Sequence, residues 1–168
     1  MAPTLARRVS VPAALLAAAE LERIDYADAF AVADHGRRDA QRWLSAVLEG
    51  SSGPGLQLVR AVWLAAGAEV EPLGTPGHLF GCPLSVEGPH RAKVDVTWRT
   101  GLRATILLDR ADGLVVFATV VQLRNPGVRA LWAALAPLHR LAARVGLSRA
   151  AAHDHRQLQK AGQGIAGP

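Results

Sequence analysis

Hydrophobic and polar positions alternate with a period of two through the second half of this chain, and then the period changes. Ala92, Val94, Val96 and Trp98 alternate with Lys93, Asp95, Thr97 and Arg99, which predicts an antiparallel strand with one covered face. Thr100-Gly101 supplies a turn. Leu102, Ala104, Ile106 and Leu108 then alternate with Arg103, Thr105 and Asp109, and Asp112-Gly113 is a strong hairpin signal. Leu114 to Leu123 is apolar at every parity, as a strand covered on both faces would be. Asn125-Pro126 ends the sheet, because Asn caps a helix well and Pro fits its first turn.

From Pro126 the apolar period becomes helical. At about 100° per residue, Val128, Leu131, Trp132, Leu135, Leu138, Ala142 and Val145 share one side, with Arg129, Ala133, Pro137, Arg140 and Arg144 away from it. This predicts a helix over 126–147 whose leucines face the sheet and whose arginines face water. Pro137 should bend it. His139 lies seven residues after Trp132 and points inward with it. The preferred reading of His139 is a core histidine bonded within the protein; the alternative is a polar group in a ligand cavity.

The first half carries an earlier strand and two short helices. Ile24, Tyr26, Asp28, Phe30 and Val32 alternate with Asp25, Ala27, Ala29 and Ala31 over Arg23 to Val32. Asp28 lies among apolar neighbours; if its face is buried it needs a partner or a proton. A strand end or bulge turning it to solvent or to backbone amides is preferred over a functional acid. Arg37 to Glu49 puts Ala40, Trp43, Leu44, Val47 and Leu48 on one side of a helix. Gly50-Ser51-Ser52-Gly53-Pro54-Gly55 breaks the chain without the Lys-Ser/Thr pair of a phosphate loop. A second helix over Leu56 to Ala66 should turn Val59, Val62, Trp63 and Ala66 inward. Trp43 and Trp63 read as core packing, with a cavity wall as the second option.

Composition narrows the class. The 168 residues are half hydrophobic and one-fifth charged, enough for one domain with a real core, and one cysteine, Cys82, excludes an intrachain disulfide. No stretch approaches the roughly 20 apolar residues of a membrane span. The single cysteine fits a reducing compartment, and the reading is cytoplasmic. The net charge of +5 is concentrated: from Arg124 onward there are seven basic residues and one acid, Asp154. A solvated helix face complementing the helix dipole is preferred over a surface for anionic lipid or nucleic acid, since Arg is abundant throughout this Ala- and Gly-rich chain. Near the start, Arg7-Arg8 precedes an apolar run from Val9 to Ala19 interrupted by Pro12. It reads as a short helix or loose arm over 1–22, with a removed signal as the other option.

The order strand, two short helices, antiparallel strands and long C-terminal helix resembles the START-like helix-grip superfamily of polyketide cyclases, lipid-transfer domains and birch pollen allergens. Asp25-Tyr26-Ala27-Asp28-Ala29-Phe30, Arg129-Ala130-Leu131-Trp132 and Pro137-Leu138-His139-Arg140 look like the opening strand and last helix of an uncharacterised bacterial branch. The resemblance spans roughly Arg23 to Ala150. It implies an α+β domain over 23–150, a curved antiparallel sheet wrapped around the C-terminal helix, and a cavity for a hydrophobic or amphipathic small molecule. It transfers no catalytic residue. One departure stands out: about four strands are evident between Gly67 and Pro126 where a full sheet needs about six, so short strands hide in 68–90 or the sheet is reduced.

The candidate cavity residues are Asp28, Trp98, Trp132 and His139. A hydrophobic ligand is the expected partner, with weak anionic membrane contact an alternative and nucleic acid not expected. A cyclase or dehydratase with His139 and Asp28 as acid and base is the enzymatic alternative. No cofactor or metal is expected. His153-Asp154-His155 falls in a polar stretch, 151–168, that reads as disordered. Cys82 has no evident base partner and reads as a buried or half-buried thiol, and His78 and His90 as surface groups.

Overall fold

The computed structural model describes residues 5–35, 38–50 and 54–163, without the side chains of 54–56 and 157–163. The glycine-rich break at 51–53 and the last five residues lie outside the described residues. The elements are β1 (Arg7–Val9), α1 (Ala13–Ala18), β2 (Tyr26–Ala33), α2 (Ala40–Leu48), α3 (Pro54–Ala65), β3 (His78–Leu79), β4 (Cys82–Glu87), β5 (Arg91–Thr97), β6 (Leu102–Ala111), β7 (Leu114–Leu123) and α4 (Pro126–Gln163). The strands form one seven-stranded curved antiparallel sheet in the order β1-β2-β7-β6-β5-β4-β3. Between Gly67 and Pro126 there are five strands, β3 to β7, of which β3 and β4 sit within 68–90, and β1 and β2 bring the sheet to seven. The long helix α4 and the short helices complete the predicted α+β arrangement.

The local signals act where expected. Asp112 and Gly113 both have positive φ, 53° and 72°, which lets the β6–β7 hairpin close in two residues. Asn125 Oδ1 accepts from the Val128 N–H at 2.9 Å and starts α4. Asp39 caps α2 in the same way through the Arg42 N–H at 2.8 Å.

The inner face of the sheet carries the main core: Phe30, Val32, Val94, Val96, Ile106, Leu108, Val115 and Phe117 pack against Trp43, Leu44 and the far half of α4. The outer face is not open. Residues 7–22 cover it, with β1 paired to β2 and Leu15 wholly buried against Leu107, Val116, Ala118 and Val120. Of the two readings of this stretch, the short helix is present as α1, and it is packed on the sheet where a loose arm would not be. Lys93 and Thr105, read as solvent-facing, are buried beneath it. Lys93 Nζ binds Glu20 and the Ala18 carbonyl, and Thr105 Oγ1 donates to Asp95 or Ala19 oxygens.

Three further expectations are corrected. First, α4 continues to Gln163, into the stretch read as disordered, because Asp154 is buried and ion-paired to Arg38 at 3.2 Å and Ala150 and Ala151 join the core. Second, α4 is turned about one residue step, roughly 100°, from the predicted orientation. Its buried residues are Val128, Ala136, Ala143, Leu147, Ala150 and Ala151, while Leu131, Leu135, Leu138 and Leu141 are exposed. Phe30, Phe117, Trp43 and Leu44 already fill the space beneath it, so methyl groups let the helix approach where leucines would not fit. Gly146 does the same for α2: a Cβ there would lie 3.3 Å from Val47. Third, Val59 and Val62 of α3 are exposed. Trp63 and Arg60 hold that helix instead, Trp63 by edge contacts with Phe80 and Trp98, Arg60 by bonds to the Phe80 and Glu71 carbonyls.

Candidate functional site

The rotation of α4 leaves Trp132 and His139 on the inward side, because both stand at the border shared by the predicted and the observed faces. Opposite them, β2 and β7 pair with Asp28 beside Thr119 and Tyr26 beside Val121. Parity puts Tyr26, Asp28, Thr119 and Val121 on the inner face. The site therefore consists of two strands facing one helix, with Tyr26, Asp28, Thr119, Trp132 and His139 contributing its polar atoms.

Asp28 is only 2% exposed and sits in mid-strand, not at the strand end or bulge that would have turned it outward. The Tyr26 hydroxyl donates to its Oδ2 at 2.5 Å. Burial and the neighbouring Asp28 carboxylate both push the Tyr26 phenol well above its ordinary range, so it remains a donor at any physiological pH. Asp28 Oδ1 has no hydrogen-bond partner and lies 3.7 Å from His139 Nε2, beyond bonding distance. His139 Nε2, Trp132 Nε1 and Thr119 Oγ1 are also buried without a partner. Buried polar atoms normally find one, so four such atoms in one neighbourhood are unusual.

The surroundings are apolar and less tightly closed than the rest of the core. The Trp132 ring stacks edge-on to Tyr26 at 5.2 Å and lies 5.3 Å from the His139 ring. Leu102, Ala104, Val121, Leu123 and Val128 line the same cluster, and Tyr26, Trp98 and Trp132 pack against it half-buried. The His139 side chain is 24% exposed, so this end of the interior communicates with solvent.

Of the four residues expected at a cavity, Asp28, Trp132 and His139 come together. Trp98 borders the same apolar cluster, but its ring contact is to Trp63 at 5.3 Å. Tyr26 and Thr119 were not among the candidates. Both left a signal: Tyr26 is two residues from Asp28 on the same face, and Thr119 is the one polar residue on the inner face of β7. Cys82 is elsewhere in the core, its thiol pushed up to about 12 by burial, and is unsuited to act as a nucleophile.

No protein family, curated protein or solved structure matches this chain. The chemistry of these side chains is therefore the guide to function. Among the described residues no helix is long and apolar enough to cross a membrane.

Proposed function

We propose that this protein binds a hydrophobic or amphipathic small molecule, of lipid or polyketide type, between the inner face of the sheet and the first half of α4. The supporting observation is the group of unpartnered buried atoms: Asp28 Oδ1, Thr119 Oγ1, Trp132 Nε1 and His139 Nε2. A ligand with an apolar body and one hydroxyl or enol matches them. Its polar group would receive a bond from Trp132 and donate to Asp28, while its body lies against Trp132, Ala104 and Val121.

The test is direct. Native mass spectrometry of the purified protein should reveal a retained small molecule, and an apolar fluorescent probe carrying a hydroxyl should compete with it. Trp132→Phe removes one donor and keeps the ring; it should weaken probe binding about tenfold, the value of one buried hydrogen bond. Equal affinity of wild type, Trp132→Phe and His139→Ala for the probe would overturn the reading.

A catalytic reading has one observation in its favour. His139 faces Asp28, whose other oxygen already holds the Tyr26 hydroxyl, so an acid and a base sit beside the proposed ligand. A cyclisation or dehydration of a polyketide-like ligand would use them. Loss of turnover in His139→Ala with probe affinity retained would support this reading over simple binding.

A further inference from the structure

The side of α4 that faces away from the sheet is apolar. Positions 131, 135, 138, 142, 145, 149 and 156 fall along one line of a helix. Here that line reads Leu131, Leu135, Leu138, Ala142, Val145, Arg149 and Arg156. Leu131, Leu135 and Leu138 are 44, 38 and 65% exposed, and neighbouring Leu141 is 58% exposed. A surface helix ordinarily presents polar residues outward and apolar residues inward; over 131–145, α4 has alanines inside and leucines outside. The stripe from Leu131 to Val145 is about 21 Å long at 1.5 Å per residue.

The stripe runs into a groove. Leu5, Leu141, Val145 and Ala152 line an open depression of about 370 Å³ together with Arg144, Ser148 and Arg149. Arg149 and Arg156 are exposed and have no carboxylate partner among the described residues. The only acid of α4, Asp154, is buried and committed to Arg38. The exposed charge of this face is therefore of one sign.

We infer that the outer face of α4 docks on an anionic lipid bilayer, with Leu131, Leu135, Leu138 and Leu141 entering the acyl boundary and Arg149 and Arg156 meeting lipid phosphates. Charge complementarity decides the occupant. A second copy of this chain would bring the same arginines to the rim of the contact with no acid to receive them, and like charges across an interface oppose association. A bilayer containing phosphatidylglycerol or phosphatidylserine supplies an apolar layer and a negative surface together, which is what a helix lying in the interface plane requires. The proposal is independent of the interior site, since none of these residues contributes to it.

The experiment is co-sedimentation of the full chain with phosphatidylcholine vesicles, with and without phosphatidylglycerol. Binding is expected only to the anionic vesicles, and it should weaken with salt. Leu138→Glu should reduce partitioning at least tenfold. The double variant Arg149→Glu, Arg156→Glu should reduce it by more than tenfold, at about fivefold for each arginine lost. Both changes are on exposed side chains, and circular dichroism checks that the fold is intact. His139→Ala and Trp132→Phe should bind vesicles like wild type, which separates failure here from failure of the interior ligand site. Absence of binding to anionic vesicles, or unchanged binding by the two surface variants, overturns the proposal. So does a concentration-dependent dimer in light scattering that Leu138→Glu dissolves without any vesicle binding.

Discussion

At Asp28 a carboxylate is held inside the protein by one hydroxyl and faced by an imidazole just too far away to bond. A core built for stability alone would not keep this arrangement, since an unmatched buried acceptor costs about 1–3 kcal/mol. Asp28→Asn should therefore stabilise the protein by about 1 kcal/mol in urea denaturation while weakening probe binding. A destabilised Asn variant would mean that the carboxylate serves the fold and not a ligand. Asp25, three residues nearer the N-terminus, does serve the fold. Its carboxylate accepts from the Leu123 N–H at 2.7 Å and pairs with Arg23 and Arg129, tying the entry of β2 to the end of β7 and the start of α4. The Leu123 bond, helped by both arginines, holds its carboxyl below the ordinary carboxylate range, and the Lys93 hydrogen bond does the same for Glu20. A lowered folded-state pKa stabilises above the unfolded value and is lost as pH falls through the folded one. The urea midpoint should thus fall between about pH 5 and pH 3, and Asp25→Asn should flatten that fall. An unchanged slope in the variant would remove Asp25 as its cause.

The helices show how far one chain's pattern carries. Strand positions were legible from alternation, from Asp112-Gly113 and from Asn125-Pro126, because a period of two and a turn with positive φ are local properties. The rotation of α4 was not legible. Its sequence offers two stripes, one of leucine and one of alanine, and hydrophobicity alone selects leucine. What selects alanine is the space left by Phe30, Phe117 and Trp43, residues about 20 to about 120 positions distant in the chain. That Asp28, Trp132 and His139 lie together was nevertheless legible, since Trp132 and His139 border both stripes and a lone acid on an apolar strand face is visible in any register. The two stripes respond oppositely to mutation. Leu138→Ala, at an exposed position, should change stability by no more than about 0.5 kcal/mol. Ala143→Leu, 6% exposed against the sheet, should overpack the core and cost about 1–3 kcal/mol. Paired denaturation curves check this; the reverse ranking would restore the leucine face to the interior.

At the scale of the whole molecule, the sheet needs two coverings. The inner face is covered by α2 and α4, and the outer face by residues 7–22. The polar alternation Lys93, Asp95, Thr105 suggested an outer face in water, and the short, Arg-led, alanine-rich start of the chain suggested an arm. Each reading reinforced the other, and the structure reverses both together. The outer face also carries Leu107, Val116, Ala118 and Val120, which Leu15 and Ala19 bury, and its one lysine is neutralised by Glu20. Removing the covering would bare an apolar sheet face to water, and apolar patches of that kind drive aggregation. Leu15→Ala alone should cost about 2–5 kcal/mol, as at other fully buried leucines. A chain beginning at Glu22 should lose its cooperative thermal transition and aggregate, because that covering is worth a large part of the roughly 5–15 kcal/mol that holds a domain folded. Differential scanning calorimetry of the shortened chain makes the comparison. A sharp transition at the full-length temperature would show that residues 7–21 lie on the sheet without supporting it.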